Sequence, residues 1–370
     1  MPPKNSILQA TRDYESWLAG ELRLVPADLA AKHQMMAADV FSFLRATFYR
    51  WIQLFPRLCP DLTQAPTVLA VGDLHVENFG TWRDAEGRLI WGVNDFDEAY
   101  PLPYTADLVR LAASAWLAIE GEKASFTPAA TERAILAGYA EGLQLGGEPF
   151  VLSERHSGLR EAVTSHGRDP VLFWGKLDAL PTLRGVAAPV RQLLQSVLPE
   201  PGLAFRIAHR RAGLGSLGRQ RFLAIADWRG GKIAREAKAL LPSACVWADG
   251  KADQEIYYGR LLAAAVRTAD PFLQVRERWI VRRLSPYCSR VELSQMPRDH
   301  DKAKLLRAMG RELANVHWGS PKTVPAVRRD LGKRKPGWLK QAAAIMVAAT
   351  RQDWQEWRKS GGEVPIPKKR

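Results

Sequence analysis

The chain has 370 residues, 46% of them apolar and 25% charged, with 53 basic against 39 acidic side chains and a formal net charge of +14. That length accommodates two units with separate cores, and the composition excludes a disordered or fibrous chain. Cys59, Cys245 and Cys288 are odd in number and far apart, with no CxxC pair, so neither a disulfide framework nor a structural zinc site is indicated. No segment approaches the roughly 20 uninterrupted apolar residues of a membrane span. The first residues, MPPKNSILQ, lack the apolar core of a signal peptide, so a reducing cytoplasm is the expected setting. The basic balance makes anionic partners the natural ones: a nucleotide, a phosphorylated substrate or, as a lesser alternative, nucleic acid.

In chain order, residues 11–55 show helical spacing, with Met35, Met36, Val40, Phe43, Leu44, Phe48 and Ile52 recurring every three or four positions. Prolines at 56, 60 and 66 end that pattern. Thr67 to Asp73 is a short apolar run closing on Gly-Asp, a strand entering a loop. Asp84 to Gly87 is a turn, and Arg88 to Asp97 a second strand. Helical spacing resumes over 105–121 and 131–143. From about 203, extended runs alternate with glycine turns: FRIAHR, GLGSLG, RQRFLAIADW, KIAREAKAL and, later, ERWIVRRLSPY. Helices are expected over 253–267, 302–316 and 337–358, followed by a frayed tail, GGEVPIPKKR.

Two early segments carry chemistry. In VGDLHVENFG, Asp73 and Asn78 stand on one loop at the spacing of the kinase catalytic loop, where Asp orients an acceptor hydroxyl and Asn binds metal. Asp95 follows at the end of the next strand, where a second magnesium ligand belongs, since magnesium takes one or two carboxylates beside phosphate and water oxygens. Turn-forming Asp and Asn residues are the competing reading. His75 and Glu77 form an H-x-E, but the P-C-x-x-C that zinc deaminases add is missing, and no G-x-S-x-G marks a serine hydrolase.

GLGSLG places Gly213, Gly215 and Gly218 in a G-x-G-x-x-G between extended runs, the context of a phosphate-covering flap and not of a dinucleotide loop that opens a helix. An ordinary glycine-rich hairpin turn is the alternative. The flap reading also needs a lysine on a following strand. Lys238 is the first candidate, with Lys232 and Arg235 as rivals and Glu255 as its ion-pair partner on a helix.

The run VGDLHVENFG…VNDFDEAYPLPYTADLVRLAAS resembles the uncharacterised bacterial family called domain of unknown function 2252. The resemblance extends to FSFLRATFYR, GLGSLGRQRF, AREAKALLPSA, VRRLSPY and GRELANVHWG, from about 30 to 320. The same run is similar to the aminoglycoside phosphotransferase-like kinases, with H-G-D-x-x-x-x-N and I-D-F or I-D-W segments. By that resemblance Asp73 is the catalytic carboxylate, Asn78 and Asp95 are metal ligands, and Asp107 supports the helical lobe. Two features depart from the pattern. Val71 replaces the histidine before Gly-Asp, and the glycine-rich segment follows the catalytic loop instead of preceding it. The expectation is an α+β, protein kinase-like two-lobed fold, circularly permuted. Residues 1–200 would form a helical catalytic lobe, 201–290 a β-rich nucleotide lobe and 291–370 helices completing the catalytic lobe. The expected function is ATP- and Mg2+-dependent phosphotransfer to an unidentified hydroxyl acceptor. A nucleotide-binding pseudokinase, a nucleotidyl transferase and a basic nucleic-acid-associated protein are the alternatives.

Overall fold

A computed structural model describes residues 5–120, 126–152, 156–164, 169–250, 255–288 and 299–367. The chain is a mixed α+β protein with three sheets among the described residues. The single helical stretch expected over 11–55 is four helices, Ile7–Glu21, Pro26–Ala38, Val40–Ala46 and Phe48–Leu58. Local chemistry sets the breaks. Ser6 caps the first helix by accepting from Gln9 N, and Pro26 opens the second. Asp39 caps the third, its Oδ1 accepting from Ser42 N at 2.7 Å. In the second helix Leu29, Lys32, His33 and Met36 form the buried stripe, so Met35, one position off it, is 45% exposed, while Phe43 and Leu44 of the third helix are core.

Strand β1 (Thr67–Ala70) pairs antiparallel with a later strand of residues 100–103, a pairing with no sequence signal. Between them lie β2 (Phe79–Arg83) and β3 (Leu89–Val93), joined at the expected Asp84–Gly87 turn, where Asp84 Oδ1 accepts from the amides of Glu86 and Arg88. The 100–103 strand, β4 (Tyr100–Pro103), leads into the helix Tyr104–Ala118, which is buried along nearly its whole length. The helix Pro128–Leu145 then precedes β5 (Phe150–Val151), which adds to β3.

The expected β-rich segment is a five-stranded antiparallel sheet made of β6 (Arg206–His209), β7 (Arg221–Trp228), β8 (Gly231–Ala239), β9 (Gln274–Arg276) and β10 (Trp279–Leu284), in the order β6-β7-β8-β10-β9. Period-two alternation divides its apolar residues between two clusters. Leu223, Ile225 and Ala234 pack with Phe173 and Leu177 of the helix Pro170–Asp178, while Ile207, Ala224, Ala237 and Val281 pack with Val190 and Leu194 of the helix Ala188–Ser196. Residues 170–196, grouped above with the first unit, therefore clothe the sheet.

The helix Asp299–His317 packs on Pro128–Leu145 at very close range, because glycines remove the side chains from the crossing. A Cβ on Gly138 would lie 1.8 Å from the Arg307 carbonyl oxygen, and one on Gly310 would lie 2.2 Å from that of Ile135. The helix Trp338–Lys359 closes the helical core, and its Asp353 receives Arg50 Nε at 2.7 Å. The tail is not frayed as far as residue 367, since Val364 is buried in the main core; residues 368–370 of the expected tail lie outside the described residues. Among the described residues no helix is long and apolar enough to cross a membrane.

The crossing gives a sharp contrast between glycines. Gly138→Ala is expected to lower stability by about 3 kcal/mol, as overpacking against backbone does. Gly175→Ala, on a helix with open space around it, is expected to raise stability by about 0.5–1 kcal/mol. Urea denaturation of both variants measures the difference.

Candidate functional site

The loop after β1 is held by its backbone. The Asp107 carboxylate, at the start of the helix Tyr104–Ala118, accepts from Val71 N at 2.8 Å and from Gly72 N at 2.9 Å. His317 Nε2 lies 3.1 Å from the same carboxylate, and the Tyr139 hydroxyl lies 2.8 Å from His317 Nδ1. Asp107, His317 and Tyr139 are all fully buried. Two amide hydrogen bonds to Asp107 thus hold the backbone at Val71 and Gly72. Gly72 has φ +80°, and a Cβ there would lie 2.2 Å from the Glu98 carbonyl oxygen, so the turn into Asp73 requires glycine.

Asp73 is gripped at one oxygen. Arg110 donates to its Oδ1 from Nε at 2.8 Å and also from Nη2, while its guanidinium lies over the rings of Phe48 and Trp51. Burial raises the Asp73 carboxyl above the usual range, against the opposing pull of Arg110 and Arg45. Asn78 spends its amide nitrogen on two carbonyls, Asp95 O at 2.9 Å and Asp73 O at 3.3 Å. This ties the two loops together and leaves the carboxamide oxygen as the end suited to a ligand.

The sheet reaches the same place. On β8, Lys238 opposes Arg221 of β7 and Ile280 of β10, and Glu236 opposes Leu223 and Arg282. Period-two alternation puts Lys238, Glu236, Arg221 and Arg282 on one face. Lys238, only 3% exposed, donates from Nζ to Asp95 Oδ2 at 2.7 Å and to Asp97 Oδ2 at 2.7 Å. The rivals point elsewhere. Arg235, one residue out of phase, stacks on Phe272, and Lys232 meets Asp178 and Asp227. Glu255 is not the partner of Lys238. Its exposed carboxylate meets Arg260 at 3.4 Å, and the ammonium is taken by the two aspartates of the NDFD segment.

Gly213, Gly215 and Gly218 form a short turn directly over Asp73. A Cβ on Gly215 would lie 3.4 Å from Asp73 Oδ2. The turn is pinned from below, since Lys32 Nζ donates to Gly215 O at 3.3 Å and Val25 N donates to Gly218 O at 2.8 Å. Arg219, just after it, donates to Glu98 Oε1 at 3.0 Å. The cavity that remains, bounded by Asp73, Asn78, Asp95, Asp97, the glycine turn and four arginines of the sheet segment, measures about 120 Å3. That is small beside the roughly 300–1,000 Å3 of common ligand sites.

The two aspartates under Lys238 differ. Burial pushes both carboxyls up, but Lys238 and a hydrogen bond from Asp97 hold Asp95 well below the ordinary range, whereas the neighbouring Asp95 charge keeps Asp97 raised. Asp97 Oδ1 is buried with no hydrogen-bond partner. A bare carboxylate oxygen in such a place favours a proton or a cation. Among the described residues no group of three or more carboxylate, imidazole or thiolate side chains is arranged for a metal. Asp95, Asp97 and the Asn78 oxygen nonetheless fit magnesium, which keeps water and phosphate oxygens as its other ligands.

Asp97, Arg110 and Arg219 were not anticipated. Arg110 left a signal: it is a charged residue amid Leu108, Val109, Leu111 and Ala112, at helical spacing from Asp107 and Ser114. Asp97 lies two positions past Asp95 in NDFD, but only the loop geometry turns both carboxylates toward one ammonium.

The family described as an uncharacterized protein conserved in bacteria (DUF2252) matches residues 23–146, the part that holds Asp73, Asn78, Asp95 and Asp107. No curated protein and no solved structure matches the chain.

Two measurements follow from this geometry. Asp107→Asn turns an N–H toward an amide that needs an acceptor and is expected to cost about 1–3 kcal/mol, read by urea denaturation. Glu312 contacts the same region, accepting from Val93 N at 3.1 Å and from Asn315 Nδ2 at 2.9 Å. Burial pushes its carboxyl up to about 7. A raised carboxyl stabilises the fold at low pH, and that contribution is lost as pH rises from its unfolded value toward 7. The thermal midpoint of wild type relative to Glu312→Gln is therefore expected to fall across that window.

Proposed function

We propose that the protein is an ATP- and magnesium-dependent phosphotransferase of a permuted, two-lobed kinase-like kind, acting on a hydroxyl acceptor. The observation that carries this reading is the meeting of Lys238 with Asp95 and Asp97 at 2.7 Å, beside Asp73 and beneath Gly213–Gly218. Residues from two segments more than a hundred positions apart supply one cleft with the parts that phosphoryl transfer uses. The motif order supports permutation: the sheet, then the helix Asp299–His317, whose His317 braces the catalytic loop through Asp107.

In this reading Arg110 fixes one oxygen of Asp73 and leaves Oδ2 to orient the acceptor hydroxyl. The raised carboxyl makes Asp73 a better proton acceptor than a solvated aspartate. Asn78, Asp95 and Asp97 would hold magnesium, which supplies neutralising charge to the phosphates. Lys238 would then share its charge between the aspartates and a phosphate oxygen. The glycine turn would lift to admit the nucleotide and settle again over the phosphates. A second reading, nucleotide binding without turnover, draws on the same Arg110 grip, because an ion-paired carboxylate is a hindered base.

The test is magnesium-dependent ATP binding and turnover by wild type, Asp73→Ala and Asp95→Asn. Turnover is expected in wild type, with a fall of about 10²–10³ in each variant and with binding retained in Asp73→Ala. Binding without turnover on broad acceptor panels would select the second reading, and a folded wild type that neither binds nor hydrolyses ATP would reject both.

A further inference from the structure

The cleft face of the sheet holds more positive charge than the site above employs. Glu236, fully buried on β8, receives Arg210 Nη1 on Oε2 at 2.8 Å, and Arg221 Nη1 at 2.6 Å and Arg282 Nη2 at 2.9 Å on Oε1. Burial alone would raise the Glu236 carboxyl, but the three guanidinium groups hold it well below the carboxylate range. One carboxylate cannot neutralise three arginines, and although Arg282 also feels the Asp95 charge, positive charge is left over. All three side chains line the cavity, and Arg221 is nearly as buried as Glu236. Charge withdrawn from water in this way is costly unless an anion arrives to meet it.

The glycine turn sharpens the point. Two of its six amides are used within the turn, Ser216 N donating to Gly213 O at 3.0 Å and Leu217 N to Leu214 O at 3.3 Å. A phosphate lying beneath the turn meets guanidinium groups as well as amides, because Arg221 Nη2 already reaches Ser216 Oγ at 2.9 Å. From Arg221 across Glu236 to Arg282 this face offers a row of charge. Guanidinium forks match phosphate oxygens geometrically, and Lys238 continues the row of cations toward Asp95.

We infer that Arg210, Arg221 and Arg282, gathered on Glu236, form a binding site for an oligophosphate chain. Glu236 is the positioning residue, since it holds three mutually repelling cations at one spot. The inference rests on the nucleotide reading only for what carries the phosphates, which is either a nucleoside triphosphate or an inorganic chain.

The experiment is calorimetric titration of inorganic tripolyphosphate, without magnesium, into the full chain and its Arg210→Gln and Arg282→Gln variants, with thermal melts reporting folding. Wild type is expected to bind, and each arginine variant to bind at least about tenfold more weakly. Arg210 is partly exposed, and two arginines remain on Glu236 without it, so its variant keeps the test valid if Arg282→Gln fails to fold. ATP binding more tightly than tripolyphosphate would identify a nucleotide as the carrier, and equal affinity an inorganic chain; both uphold the site. Failure of wild type to bind tripolyphosphate, or undiminished binding by folded Arg210→Gln, overturns it. Tripolyphosphate binding with no ATP turnover would reject the phosphotransfer reading alone, whereas turnover with affinities indifferent to the arginines would reject the oligophosphate site alone.

Discussion

A lysine ammonium buried between two carboxylates joins the sheet to the loops of the first third of the chain. Lys238 Nζ lies 2.7 Å from Asp95 and 2.7 Å from Asp97, and almost no water reaches it. Desolvating such groups costs several kcal/mol per ion, and only close, well-formed contacts offset it. Deleting the lysine would strand two like charges, one of which already has an oxygen without a partner. A purely structural role would be met as well by apolar residues. Holding this much charge in a cleft is easier to understand if the charges have a ligand to share.

The other contacts across the cleft follow the same pattern. Arg219 reaches Glu98, His209 and Arg211 reach Asp28, and Lys32 reaches the Gly215 carbonyl. The last of these is the weakest, at 3.3 Å, and burial lowers the Lys32 ammonium to about 8. The glycine turn is thus seated on the helix Pro26–Ala38 by a long hydrogen bond and a lysine that gives up its proton more readily than usual. Behind it the backbone of the loop after β1 is held by Asp107, which His317 and Tyr139 support from two further helices.

Much of the site was legible because its first part is local. Asp73, Asn78 and Asp95 lie within one short stretch, and spacing along a loop and a strand survives in the sequence. Lys238 was legible by residue type, since a lysine's point charge suits this role better than the rigid fork of Arg235, and strand register then separates it from Arg235 and from Lys232 at the far end of β8. Glu255 was misjudged because ion-pair partners are chosen in three dimensions: the acids that meet Lys238 come from a loop some 140 residues earlier, and nothing in the local sequence records that. Asp97 was missed for the same reason, and Arg110 because its charge amid apolar neighbours does not name its partner. The first helices were misdrawn because Pro26 and Asp39 break a pattern that otherwise looked continuous. Pairing of β1 with β4 and the coverage of the sheet by residues 170–196 depend on long-range packing, for which short apolar runs carry no address.

The central claim is that Asp95, Asp97 and Asn78, facing Lys238, form a metal–nucleotide centre and not a structural ion pair. Electron paramagnetic resonance of manganese, a spectroscopic stand-in for magnesium, tests it most directly when a non-hydrolysable ATP analogue is titrated into wild type and into Asp95→Asn. The account requires about one bound manganese per chain that appears only with the nucleotide and is lost in the variant. Manganese binding that ignores the Asp95 substitution, or none at any nucleotide concentration in a folded wild type, would contradict it.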